Sequence, residues 1–151
     1  MDLSFQEKSI LGSLIITTCL FGAYFIEVFE LVIANNSTGI LSLPGRLMGI
    51  VLSVVAVEII YHVVIAIFAK DEGTDERDRL IAAKATQVAY YILAIGCVTA
   101  VGHLFISTLR EASASISSET TILAANVIVF SFILAEVVGF GLQLFYYRRG
   151  I

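Results

Sequence analysis

Four apolar stretches, each long enough to cross a bilayer as a helix, occupy most of this chain: residues 10–33, 47–69, 82–106 and 122–147. A helical crossing takes about 20 apolar residues, because in lipid each backbone N–H and C=O must find its partner within the segment. A soluble four-helix bundle would carry a polar face on every helix. Here 58% of residues are hydrophobic and 15% charged, with a mean hydropathy of +0.94. The expected fold is all-α, an integral membrane antiparallel four-helix bundle forming one domain over residues 1–151. Its third helix starts in solvent near Asp75 and runs to about residue 106.

Charge and cysteine usage narrow the partners. The formal net charge of −4 arises largely from Asp71, Glu72, Asp75, Glu76 and Asp78, so the basic stripe needed for nucleic acid is missing. Cys19 and Cys97 fall mid-helix, where a thiol behaves as a small hydrophobe, and no disulfide framework is expected. The first stretch is too long for a signal h-region and no Ala-x-Ala site follows it, so it reads as a retained helix.

Seven basic residues, Lys8, Lys70, Arg77, Arg79, Lys84, Arg148 and Arg149, fall on one side of the four crossings, and two, Arg46 and Arg110, on the other. This bias predicts cytoplasmic termini and a cytoplasmic central connection. Residues 34–46 read as an outer loop, with turn chemistry at Asn35-Asn36-Ser37 and Pro44-Gly45. The Ser- and Ala-rich residues 107–121 read as a partly helical outer connection. In the inner connection Thr74 or Asp75 is positioned to cap helix three, and acids in its first turn complement the helix dipole. Tyr90, Tyr91, Tyr146 and Tyr147 read as inner-interface anchors.

The opening Ser4-Phe5-Gln6-Glu7-Lys8-Ser9 and the loop motif Asp75-Glu76-Arg77-Asp78-Arg79-Leu80-Ile81, followed by Lys84-Ala85, resemble a loose group of uncharacterised small bacterial four-helix inner-membrane proteins. The resemblance implies a bacterial inner (plasma) membrane, and it transfers no site residue.

Six Glu and His residues lie within the apolar stretches, and such residues normally face the bundle interior and have partners. With each helix midpoint taken as the bilayer centre, Glu58 and Glu136 lie within roughly 3 Å of the midplane and His62 roughly 7 Å to the inner side. Glu58 and His62 are spaced i, i+4 and share a helix face. Together the three are the candidate proton- or cation-binding group: two carboxylates sharing a proton, or oxygen and nitrogen ligands for a divalent cation. Glu27, Glu30 and His103 lie roughly 8–12 Å to the outer side and form a second candidate polar cluster. The plainer alternative for all six is a protonated or hydrogen-bonded residue that packs one helix on another.

His62 and His103 are the two histidines of the chain, and roughly 15–18 Å of depth separates them, which disfavours an intrachain bis-His haem. No cofactor is expected. Ser113, Ser115, Ser117 and Ser118 have no His or Lys at an activating spacing, and no zinc or phosphate-loop pattern occurs, so no enzyme activity is expected. Gly139 and Gly141 in helix four, with Gly96, Ala100 and Gly102 in helix three, read as close packing surfaces that favour a homo-oligomer. The expected function is that of a non-enzymatic accessory or regulatory module, with the lipid bilayer and a further membrane protein as partners. The alternative is a transport protein that binds protons or divalent cations at Glu58, His62 and Glu136.

Overall fold

The computed structural model describes residues 4–68, 73, 75–110 and 117–149, without the side chain of Arg110. Four helices account for nearly all of them: α1 (Phe5–Ile33), α2 (Ser37–Phe68), α3 (Glu76–Arg110) and α4 (Ser118–Arg149). Each is long and apolar enough to cross a membrane. At about 1.5 Å per residue the 32-residue α2 and α4 reach about 48 Å, past the ~30 Å hydrocarbon core, so their ends have room to carry polar residues.

Every helix starts on a side-chain cap, which satisfies N–H groups that have no intrahelical partner. Ser4 and Glu7 form a reciprocal capping box on α1. The Asn36 side chain accepts from the Gly39 N–H at 2.9 Å on α2. Asp75 and Asp78 cap each other's backbone N–H on α3, at 2.7 and 3.1 Å. Ser117 accepts from the Thr120 N–H at 3.1 Å on α4. The cap of α3 is therefore Asp75; the alternative, Thr74, lies outside the described residues, as do Lys70, Asp71, Glu72, Ser113 and Ser115.

The outer loop expected over residues 34–46 is much shorter. Asn35 adopts a left-handed φ of 47°, Asn36 caps, and α2 begins at Ser37, with Pro44 inside the helix. One Asn pair is enough to reverse the chain, so the Pro44-Gly45 turn signal is not used. A proline inside a helix removes one backbone bond and disfavours the conformation. The opposing force is packing: Ile40 and Leu43, the two buried residues of α2, lie in the turn just before Pro44 and belong to the core.

α1 and α4 form the central pair. Phe21, Tyr24, Phe25 and Val28 of α1 meet Ile133 of α4, with Ile40 and Leu43 of α2 completing the cluster. Tyr24 is buried and donates to Asn126 Oδ1 at 2.6 Å, which ties α1 to α4 through a satisfied polar pair. α2 packs on α1 and along the edge of α4, whereas among the described residues the backbone of α3 approaches closely only that of α4. The bundle is consequently open on both sides of the α1–α4 seam.

The α3–α4 contact is close because its residues are small. A Cβ on Gly96 would collide with the Ser131 side chain, and one on Gly139 would meet Ala89 at 3.7 Å. Ala85 and Ala100 are fully buried. Of the glycines expected at packing surfaces, Gly96 and Gly139 are used this way, while Gly102 and Gly141 face open space.

Candidate functional site

The open side between α2 and α4 holds the chemistry. Ser9, Ser13 and Thr17 recur every fourth residue along α1 and so form one stripe. Glu58 and His62 form the facing pair on α2. The Ser13 hydroxyl donates to Glu58 Oε2 at 2.9 Å and lies 3.3 Å from His62 Nε2. His62 Nε2 is 3.1 Å from Glu58 Oε2, and Ser9 Oγ is 3.5 Å from His62 Nδ1. One tautomer satisfies every contact: Nε2–H is shared between the Glu58 carboxylate and Ser13 Oγ, and Nδ1 accepts from Ser9. Close helix approach makes this reach possible, since Gly12 leaves room for the Tyr61 ring and the Tyr61 hydroxyl donates to the Lys8 carbonyl at 2.7 Å.

Glu136 enters the same space from α4. A cavity of about 750 Å³ is lined by Ser13 and Thr17 of α1, Glu58 and His62 of α2, Leu93 of α3, and Glu136 with Phe132 and Phe140 of α4. The three residues of the candidate proton- or cation-binding group thus share one cavity, with their carboxyl groups on different walls. No cluster of three His, Cys, Asp or Glu side chains among the described residues is arranged to hold a metal ion. A proton can move between Glu58 and His62 along existing contacts; Glu136 is reached only across the cavity.

No hydrogen bond or ion pair joins the members of the second candidate cluster to one another among the described residues. Glu27 forms an ion pair with Arg46 of α2, and both line a cavity between α1 and α2. Glu30 is exposed. His103, on α3, faces a different cavity of about 430 Å³ with Thr99, with Val28 and Phe29 of α1, and with Asn126 and Phe130 of α4. The backbones of α3 and α1 do not approach closely, and no hydrogen bond or ion pair joins His103 to Glu27 or Glu30. His62 and His103 likewise line different cavities.

A third polar site ties the helix ends together. The Tyr147 hydroxyl donates to Asp78 Oδ1 at 2.6 Å and Arg77 donates to the Tyr147 carbonyl at 3.2 Å. Ser4, Glu7, Asp75 and Gly73 surround the same cavity of about 340 Å³. The Tyr147 side chain thus anchors α4 to the start of α3, and Lys84 lies 6.0 Å from the Tyr146 ring.

Several of these partners were not singled out from the sequence: Ser9, Ser13 and Thr17 around Glu58, Arg46 beside Glu27, and the Tyr24–Asn126 pair. The fourfold spacing of the three hydroxyl residues on α1 was the available signal. No protein-family model, curated protein or solved structure matches this chain.

Proposed function

We propose that this chain is a non-enzymatic, multi-pass protein of a bacterial inner membrane that takes up a proton or cation at Glu58, His62 and Glu136. The observation that carries this reading is the shared cavity, in which two carboxyls from α2 and α4 face one another's space beside an imidazole. In a low-dielectric bundle two such carboxylates do not both ionise cheaply without a proton or cation between them. The four helices are read as an antiparallel bundle crossing the lipid bilayer, with both termini cytoplasmic by the bias of basic residues. Cysteine labelling from the two sides of the membrane checks that orientation; a residue near 149 labelled from outside the cell overturns it.

The functional test is a double-mutant cycle on purified protein. Glu58→Gln and Glu136→Gln are expected to change the dependence of thermal stability on pH or cation concentration non-additively, with a coupling of about 1 kcal/mol. Additive effects, with no response of the wild type to pH or any cation, remove the reading. A second reading, an accessory or regulatory module working as a homo-oligomer or beside another membrane protein, is favoured by α3, whose backbone approaches that of one described helix only. Cross-linking in native membranes separates the two, because the accessory role requires a stable oligomer or complex that survives loss of both carboxyls.

A further inference from the structure

Two side chains facing the 750 Å³ cavity have hydrogen-bonding capacity to spare. Glu136 has neither a hydrogen bond nor an ion pair with any described residue, in contrast to Glu58. Thr17, only 7% exposed, also lines the cavity, and its hydroxyl has no partner among the described residues. A half-buried, unpaired carboxyl and a hydroxyl that no side chain engages thus face the cavity from α4 and α1, with hydrogen-bonding capacity open to whatever occupies it.

The surroundings select what could complete it. A metal ion would need several ligands within about 2.0–2.6 Å, and no such group forms here among the described residues. The remaining wall is apolar and aromatic, with Phe21, Phe132 and Phe140. The rim is apolar as well: Val51, Val55, Ile128 and Phe132 are all exposed on the flank of the bundle. A hydrated ion entering there would have to shed its water against hydrocarbon, whereas a hydrophobic molecule would not. An uncharged acyl chain could fill the volume but would leave the carboxyl unpaired. Of the groups that titrate, Glu58 and His62 of α2 share the cavity with Glu136, while α1 contributes hydroxyls and α3 only Leu93.

We infer that the cavity binds a hydrophobic organic cation, one positive charge set among aromatic or aliphatic groups, with Glu136 as its counter-ion and the phenylalanine rings as its walls. Aromatic faces attract such cations, more strongly when water is excluded, and the volume falls within the usual range for small-molecule sites, about 300–1,000 Å³. This inference rests on reading Glu58, His62 and Glu136 as an ion-binding group and names the class of ion.

The test uses the full chain in lipid nanodiscs and two probes of similar shape, tetraphenylphosphonium and uncharged triphenylphosphine oxide, measured by calorimetry. The cation should bind saturably and the neutral probe at least about tenfold more weakly, a preference that only charge recognition supplies. Glu136→Gln should weaken cation binding on the order of 30-fold or more, the loss typical of removing one partner from a desolvated charge pair. Glu136→Asp should retain it. Equal binding of both probes, or cation binding untouched by Glu136→Gln, overturns the inference. Saturable stabilisation by a divalent metal with no binding of tetraphenylphosphonium also overturns it and leaves the proton-or-cation reading intact. No response to either probe, to divalent metals or to pH overturns both. If Glu136→Gln does not fold, the comparison of the two probes on wild-type protein decides.

Discussion

The two helical hairpins are held by opposite chemistry. α1 meets α2 through hydroxyl, carboxyl and imidazole groups, with Ser9 and Ser13 against Glu58 and His62. α3 meets α4 through Gly96 against Ser131, Ala89 against Gly139, and buried Ala85 and Ala100. Ser131 lies on this seam, yet its hydroxyl bonds to Val127 of its own helix, at 2.8 Å. Lipid supplies no hydrophobic drive between helices, so a contact must come from close backbone approach or from interhelical hydrogen bonds. One hairpin uses mainly the first device and the other the second. The difference matters for function: a seam of small residues leaves no polar capacity over, while the polar seam exposes its carboxyl and imidazole to an adjoining cavity.

The largest expected effect is on the small-residue seam. Gly96→Leu should destabilise the protein by about 3 kcal/mol, the upper part of the usual overpacking range, because α4 is the only described helix whose backbone α3 approaches closely. Thermal melting in detergent measures this. Gly96→Ala combined with Ser131→Gly should recover most of what Gly96→Ala alone loses; failure to recover would mean that the contact is not the limiting one.

A smaller effect is expected on the polar seam. Ser13→Ala removes the donor to Glu58 and should cost about 1–2 kcal/mol, since it leaves a partly buried acceptor with one partner fewer. A silent Ser13→Ala would show that the α1–α2 hairpin is held by packing, and the contrast between the hairpins would collapse. Arg46→Ala should cost at most about 1 kcal/mol, because its ion pair with Glu27 is well exposed. The smallest change is expected from Ser131→Ala, about 0.5 kcal/mol or less, because the lost bond is to its own helix and no residue across the seam is left unpaired. Ser13 and Ser131 are equally buried, at 7% exposure each, so the ratio of their two effects isolates hydrogen bonding across helices from burial.

Much of the candidate site was legible because depth follows from position along a helix. Glu58, His62 and Glu136 were grouped by that arithmetic alone, and one cavity holds all three. The same arithmetic also grouped Glu27, Glu30 and His103, which no hydrogen bond or ion pair joins to one another among the described residues. Equal depth is necessary for contact but says nothing about which helices are neighbours. The extra turns at the start of α2 were hidden for a related reason: Pro44 and Gly45 carry a strong local turn signal, and only the burial of Ile40 and Leu43 outweighs it.

By itself the sequence determined four helices long and apolar enough to span a membrane, their order, and a cap at Thr74 or Asp75 for the third, because these depend on hydropathy and on contacts within three or four residues; the caps at Ser4, Asn36 and Ser117 came from the structure. It also determined that Glu58 and His62 share a face, through the helical repeat. Only the tertiary structure decided that α3 approaches closely the backbone of α4 and of no other described helix, that Glu27 pairs with Arg46 rather than His103, and that Ser13 reaches Glu58 while Glu136 stays unpaired. Those outcomes depend on how closely each pair of helices approaches, and that distance is set by small residues such as Gly12 and Gly96 meeting one particular partner across the seam.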